Sequence, residues 1–213
     1  MRRATLTAIP AALLIASAGL LAGFARHPGA SPAPAAAAAD SYQVDPVHST
    51  VLFQIRHSGI TNFYGRFNDF AGEFTFDPES PSAAEFSFEV QTASVDTGNQ
   101  KRDDHLRNAD FFNARQFPTV TFKSTGLEHV EGDTYKLTGE LTLQGETRPV
   151  TADFQWLGTA TGPTGAQIAA YEARFEIKRS DFGMSKYLSP DGGEGGGIGN
   201  TVKLVVSVEA AKK

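Results

Sequence analysis

Residues 51–56 read Val51-Leu52-Phe53-Gln54-Ile55-Arg56, with apolar side chains at every second position. The same alternation recurs over residues 86–90 and 202–208. Successive side chains of a β-strand point to opposite faces, so a period of two predicts strands with one apolar and one wetter face. Many such strands in one domain predict an antiparallel sheet that curls around its own apolar side.

Turn signals divide the alternating pattern into eight segments. The predicted strands lie near residues 47–57, 65–77, 84–91, 119–125, 134–143, 148–157, 167–178 and 201–210. Most of the connections are short, which indicates an up-and-down order. Eight strands close a barrel whose interior suits either side chains or one small ligand. The predicted fold is therefore all-β, an eight-stranded antiparallel barrel.

A short helical insert is predicted between the third and fourth strands. Residues 99–106 are polar and rich in helix formers, and Asn99 is suited to cap the first turn. Asp110 is predicted to cap a second turn, and Pro118 ends the insert because the residue before a proline avoids the helical conformation. We expect this insert to lie across one mouth of the barrel.

The N-terminal segment has the features of an export signal. Arg2 and Arg3 precede an apolar stretch over residues 9–24. The sequence predicts a signal peptide over residues 1–25, with cleavage at its end or as late as residue 39. An uncleaved membrane anchor is the alternative, although the stretch is short for a membrane span.

A leader rich in proline and alanine follows the signal. Residues 26–41 cannot form a core, and their composition predicts a disordered segment. The folded domain is then expected over residues 42–211. An exported domain of this kind would be periplasmic or secreted.

Composition excludes several partners and several kinds of chemistry. The chain of 213 residues has no cysteine, which removes thiol redox chemistry and thiolate metal sites. Residues 40–213 carry 16 basic and 24 acidic residues, a formal charge of −8. An acidic domain without a basic stripe is not typical of nucleic-acid binding or of electrostatic docking to anionic lipid headgroups.

Two polar features of the sequence resemble sites without meeting their requirements. The histidines at 48, 57 and 105, with Asp103 and Asp104, lack the short ligand spacing of a metal site, so no metal is expected. Residues 191–199 are glycine-rich, but a strand follows them rather than the helix that a phosphate-binding loop requires. This stretch therefore predicts a long hairpin loop near a barrel mouth.

Seven segments of the chain match a known pattern. The first is Tyr42-Gln43-Val44-Asp45-Pro46-Val47-His48-Ser49, and the most specific is Arg102-Asp103-Asp104-His105-Leu106-Arg107-Asn108-Ala109-Asp110-Phe111-Phe112. Residues 53–57, 65–67, 117–124, 139–145 and 179–184 continue the match. Over residues 42–210 the sequence resembles the YceI-like, polyisoprenoid-binding proteins.

The resemblance implies an extended, lipocalin-like barrel in a periplasmic or secreted protein. It also implies a long apolar pocket for an isoprenoid or related lipid, such as a quinone tail, a polyprenyl phosphate or a fatty amide. The role would be transport, storage or protection in the cell envelope. No cofactor is expected besides the bound lipid, and a homodimer is an open possibility.

Candidate ligand contacts follow from the inward faces of the strands and from the matched segments. His57 is either a buried core histidine or a headgroup contact, and Arg179 either braces a loop with Asp181 or meets a phosphate or quinone oxygen. The full set is Phe53, Ile55, His57, Phe70, Phe74, Phe86, Phe88, His105, Phe111, Phe122, Leu141, Phe154, Trp156, Phe175, Ile177, Arg179 and Met184.

Two other functions remain open from the residues alone. The many phenylalanines would also suit a filled barrel, which would make the domain a non-catalytic, stress-related interaction module. A lipid-modifying enzyme is disfavoured, because no Gly-x-Ser-x-Gly motif is present and His48 and Ser49 point to opposite faces of a strand. No catalytic residue is therefore predicted.

Overall fold

The structure is a computed structural model, and it describes residues 39–213. The predicted signal peptide and most of the predicted leader lie outside these residues. Within them the chain forms one α-helix, α1 (Gln100–Leu106), and three 3₁₀ turns at Pro81–Ala83, Thr92–Ser94 and Arg179–Phe182. The strands are β1 (Asp40–Val44), β2 (Thr50–His57), β3 (Thr61–Phe67), β4 (Phe70–Phe76), β5 (Glu85–Gln91), β6 (Val95–Asp96), β7 (Thr119–Glu131), β8 (Thr134–Leu143), β9 (Glu146–Thr161), β10 (Gln167–Lys178) and β11 (Ile198–Lys212).

Eight of the strands close an antiparallel barrel in the order β1-β4-β5-β7-β8-β9-β10-β11. The ring closes where β11 returns to β1, with Tyr42 opposite Lys212 and Val44 opposite Ala210. The predicted all-β, eight-stranded antiparallel barrel is confirmed. Because the strands alternate inward and outward, one apolar face from each contributes to a common interior.

The remaining strands extend one wall of the barrel beyond the ring. β11 pairs with β1 through its last residues and with β2 through residues 198–207, so β1 and β2 lie end to end along the same edge. Residues 45–49 interrupt that edge. β2 then pairs with β3, and β3 pairs with the short β6.

Two predicted strand boundaries were wrong. The predicted second strand, residues 65–77, is divided by Asn68 and Asp69 into the end of β3 and all of β4. At this break the backbone amide of Asn68 donates to the Ser94 carbonyl at 3.1 Å. The pairing of β3 therefore ends here, and that of β4 begins with different strands. β1 was missed because its first residues, Asp40 and Ser41, read as the end of the leader, yet they pair with Phe76 and Thr75 of β4.

The helical insert has its predicted start and a different end. The Asn99 side chain caps α1 by accepting a hydrogen bond from the Arg102 amide at 3.1 Å, as predicted. The second helical turn that Asp110 was predicted to cap does not form. Residues 107–117 instead make a series of hydrogen-bonded turns, and the Asp110 carboxylate contacts His105. No helix within residues 39–213 has the length and apolar character that crossing a membrane requires.

One end of the barrel is packed solid with aromatic rings. Phe154 is fully buried and stacks on Tyr171 with 4.9 Å between ring centroids. Phe74 packs against the edges of Tyr171 and Trp156. Offset and edge-on packing of this kind adds stability beyond area burial. The interior that remains open lies toward the α1 end.

Candidate ligand-binding cavity

Within residues 39–213, the barrel interior contains two cavities. The larger of the two has a volume of about 540 Å³ and opens at the end covered by α1. Its wall comes from β2, β3, β7, β8, β10 and β11, and its rim from the insert that contains α1 and from the loop before β11. Most of the wall is apolar because it continues the strand alternation. It is lined in part by Phe53, Ile55, Phe63, Leu143, Ile177, Met184, Ile198 and Val202.

A smaller cavity of about 90 Å³ continues the larger one into the barrel. The two share Phe67, Val120, Leu141 and Leu204 in their walls, so these residues form a neck between them. Beyond the neck the wall is almost entirely hydrocarbon and includes Phe86, Phe88, Val90, Phe122, Ala152, Tyr171, Ala173 and Phe175. Together the two cavities form one narrowing, apolar passage.

Glycines in the wall give phenylalanine rings room to lie flat. A Cβ added at Gly139 would overlap the Phe122 ring, and one at Gly72 would overlap Phe88. The rings therefore occupy space that a larger residue on the neighbouring strand would fill. This arrangement keeps the barrel axis open although large aromatic residues form its wall.

The alternation placed four predicted ligand contacts on the correct face but not in the open part of the barrel. Phe70, Phe74, Phe154 and Trp156 are all buried, yet they line neither part of the passage. Phe74, Phe154 and Trp156 belong to the packed end, whereas Phe70 stacks on Phe88 in the wall of the inner cavity. The passage therefore stops at Phe86 and Tyr171, which have this aromatic cluster behind them.

The other predicted contacts divide between the two cavities. The inner cavity brings together Phe86, Phe88, Phe122, Leu141 and Phe175. The larger cavity is bordered by Leu141 and by Phe53, Ile55, His57, His105, Phe111, Ile177, Arg179 and Met184.

The prediction of contacts missed three of the four neck residues and part of the rim. Phe67, Val120 and Leu204 lie on faces that the alternation marked as inward or on segments of the family match, so a signal for them existed. Tyr187 borders the larger cavity from a loop, where no periodic pattern pointed to it.

α1 is fastened to the barrel rim through Thr97. The Asp103 carboxylate, which is buried, accepts hydrogen bonds from the Thr97 amide at 3.0 Å and from its hydroxyl. Arg102 donates from Nε and Nη2 to the Thr97 hydroxyl and carbonyl, both at 2.7 Å, and lies over the Phe63 ring at 4.3 Å. Arg102 and Asp103, which belong to the most specific matched segment, therefore hold α1 at the barrel rim.

A second set of contacts joins the insert to the loop before β11. His105 Nε2 lies 3.0 Å from the Asp110 carboxylate, and Lys186 Nζ reaches the same carboxylate at 3.4 Å. These hydrogen bonds lower the pKa of Asp110. The His105 ring also packs edge-on against Phe111 at 5.1 Å. One face of His105 thus borders the cavity while its Nε2 makes a structural contact.

Arg179 is buried, and its guanidinium is used to hold the glycine-rich loop. Nε donates to the Gly199 carbonyl and Nη1 to the Met184 carbonyl, both at 2.8 Å, and Nη2 donates to Ile198 at 3.0 Å. The expected pairing with Asp181 is replaced by these carbonyls, because Asp181 points to solvent. Burial lowers the pKa of Arg179, and the nearby Glu194 carboxylate acts in the opposite direction.

His57 is exposed, so its interpretation as a buried core histidine was wrong. It is the last residue of β2, and it borders the cavity at the mouth, where the sheet meets solvent. Its Nδ1 lies 3.3 Å from the Ser58 hydroxyl. The strand period gives the face on which a residue lies, but the last residue of a strand can still meet water.

The mouth differs in charge from the domain that carries it. Among the described residues, the side chains that border the larger cavity include Lys101, Arg102 and Arg179 but no aspartate or glutamate. Arg102 and Arg179 are both committed to protein oxygens. The cavity therefore presents an apolar wall with a weakly basic rim.

Asp45, His48 and Glu209 bring three potential metal-ligand atoms within 4.8 Å of one another on the outer wall. His48 Nδ1 lies 2.8 Å from Asp45, whose other oxygen accepts from the Val47 amide at 2.8 Å. The shared hydrogen bond raises the pKa of His48 and lowers that of Asp45. These contacts shape the turn between β1 and β2.

The model of the YceI-like domain matches residues 42–210, which contain all of the barrel ring except the first two residues of β1 and the last two of β11. The chain belongs to the YceI-like family. Protein YceI of Salmonella arizonae is 41% identical over 179 residues, spanning 83% of this chain and 90% of that relative. The residues matched by the family model, 42–210, include the insert and all residues that line the two cavities.

Two solved structures share the fold of this YceI-like chain. The crystal structure of BcnA from Burkholderia cenocepacia has a TM-score of 0.69 at 23% identity and covers 78% of this chain and 99% of its own. A polyisoprenoid binding domain from Saccharophagus degradans, implicated in plant cell wall breakdown, has a TM-score of 0.58 at 16% identity. It covers 81% of this chain and 98% of its own.

Proposed function

We propose that this protein binds the chain of an isoprenoid or related long-chain lipid inside the barrel, for transport, storage or protection in the cell envelope. The observation that carries the proposal is the continuous apolar passage from the α1 end to Tyr171. The similarity to the Saccharophagus degradans polyisoprenoid binding domain supports the same class of ligand. An exported, periplasmic or secreted location is part of the proposal.

The energetics suit a long apolar chain. Each buried CH₂ contributes about 0.8 kcal/mol, so several prenyl units exceed the cost of ordering the chain. The depth of the passage would then limit how much of the chain is bound, because the packed aromatic end stops it. A binding role without catalysis fits the rim, where Arg102 and Arg179 are engaged with protein oxygens.

Native mass spectrometry of the full chain, expressed with export to the periplasm, tests the proposal. We expect a stoichiometric lipid adduct that organic extraction removes and that a tetraprenyl lipid restores. A bare polypeptide mass that does not change after incubation with prenyl lipids would contradict it and favour an interaction module.

A blocked passage provides the matched comparison. Val120→Trp places a large ring at the neck, and Val130→Trp places the same ring on the exposed part of the same strand. We expect the first variant to lose the adduct and the second to keep it. Circular dichroism of both variants establishes that the barrel is folded.

A further inference from the structure

The inner cavity has one polar side chain in an otherwise hydrocarbon wall. Tyr171 lies on β10 and is 5% exposed, and among the lining residues it alone carries a side-chain oxygen or nitrogen. Its ring is fixed by stacking on Phe154 and by the edges of Phe74 and Phe86. The phenol therefore has a defined position at the end of the passage.

The Tyr171 hydroxyl has no hydrogen-bond partner among residues 39–213. Within this range, every side-chain nitrogen or oxygen that is fully buried has a hydrogen-bond partner. The hydroxyl therefore touches open space, and the open space that Tyr171 lines is the inner cavity. Within the described residues it is a donor without an acceptor.

Packing does not explain the presence of this hydroxyl. Phenylalanine occupies the neighbouring inward positions 74, 86 and 154, and the chain has 16 phenylalanines. A buried hydroxyl without a partner is unfavourable, so phenylalanine at position 171 would be the more stable choice in an empty, apolar cavity. Burial also raises the pKa of Tyr171, which keeps the phenol neutral and able to donate.

We propose that the Tyr171 hydroxyl donates a hydrogen bond to a neutral oxygen of the bound lipid, a carbonyl or an ether, at the inner end of the passage. This inference rests on the proposed lipid-binding function and specifies the chemistry of the ligand there. The lipid would enter with this oxygen first, and its hydrocarbon chain would extend through the neck toward α1. A carboxylate or phosphate is excluded from this position, because the inner wall offers no charge to replace its hydration.

Two probes that differ only in one oxygen test the inference. A tetraprenyl methyl ketone and the tetraprenyl hydrocarbon of equal length are titrated into the delipidated full-length protein and into its Tyr171→Phe variant. We expect the ratio of ketone affinity to hydrocarbon affinity to be about three- to tenfold higher in the wild-type protein than in the variant. This is the range that one hydrogen bond contributes. The infrared carbonyl band of the bound ketone should also lie at lower wavenumber in the wild-type protein.

Tyr135→Phe is the matched control, because Tyr135 is equally buried but lines neither cavity. Its preference and its carbonyl band should equal those of the wild-type protein. Equal preferences and equal bands in wild type and Tyr171→Phe would overturn the inference and leave hydrocarbon binding intact. A wild-type protein that binds neither probe would overturn the lipid-binding function and this inference with it.

Discussion

Arg179 donates from its Nε to the carbonyl of Gly199 at 2.8 Å, and this bond joins the end of β10 to the start of β11 across the glycine-rich loop. Two further carbonyls, of Met184 and Ile198, accept from the same guanidinium. This buried cation therefore helps to order the loop that borders the cavity mouth, as does the Asn200 side chain, which donates to the Gly192 carbonyl at 2.9 Å.

Arg179→Met should release this loop. The change leaves three carbonyls without their donor, so we expect the free energy of unfolding to fall by about 3 kcal/mol. Urea unfolding measures that loss, and hydrogen exchange should become faster at the amides of residues 192–198. Lys178→Met, at the exposed neighbouring position, should stay within about 0.5 kcal/mol of wild type. Equal stability of the two variants would refute the bracing role.

Phe154→Ala should lengthen the passage at its packed end. Phe154 is fully buried, so its truncation should cost about 3–5 kcal/mol and leave a cavity beside Tyr171. We expect the variant to unfold at a lower temperature than the wild-type protein. We also expect it to bind more tightly than wild type a prenyl chain that is one unit longer than the chain wild type prefers. Leu157→Ala, at a position that is 56% exposed, should change neither property. An unchanged preference for chain length in Phe154→Ala would show that the aromatic cluster does not set the depth.

Gly139→Ala should narrow the passage from its wall. The added Cβ meets the Phe122 ring and the Lys123 carbonyl, so the ring must move toward the axis. We expect a loss of about 1–3 kcal/mol in stability and weaker lipid binding, measured by unfolding and by titration with a tetraprenyl lipid. Gly195→Ala adds a methyl group to open space and should leave both unchanged.

The pair formed by His48 and Asp45 should make stability depend on pH. The raised pKa of His48 means that its contribution is complete below the ordinary value of 6.5 and is lost as pH rises through the folded-state pKa. The lowered pKa of Asp45 has the opposite sign, since its contribution is lost as pH falls through the folded-state value. The pair therefore stabilises the fold at pH values between the folded-state pKa of Asp45 and the folded-state pKa of His48.

His48→Gln tests this dependence. We expect its melting temperature to be lower than that of wild type in the window between the two pKa values, and the difference to shrink at higher pH. Asp45→Asn should behave similarly, and the double variant should add little to either single change because the residues act as one pair. A difference in melting temperature that does not vary with pH would argue against the pair.

The period of two was sufficient to predict the barrel and the inward faces, because side-chain alternation is a local property of each strand. It could not predict how far along the axis each residue lies, which depends on the stagger between strands. For that reason Phe154 and Phe175 looked equivalent in the sequence, while the structure places the first in the packed end and the second in the cavity wall.

The rim was harder to predict than the wall. The rim carries Arg102 and Arg179, and the sequence left open that Arg179 meets a phosphate or quinone oxygen, because a cation near an apolar pocket suits such oxygens. Their partners are backbone and hydroxyl oxygens that the folded loops bring close, at separations of up to 20 residues. No short-range pattern encodes such contacts, so only the structure separates a binding cation from one that holds a loop.

The pairing of β1 with the last residues of β11 has a consequence for the order of folding. The barrel ring closes only when the segment around Tyr42 meets the segment around Lys212, the two extremes of the domain in sequence. Hairpins such as β7–β8 can form early from local contacts, whereas this seam must wait for nearly the whole domain to be available. During synthesis the open barrel would expose its apolar face until β11 arrives, and that interval is when the chain most needs protection from aggregation.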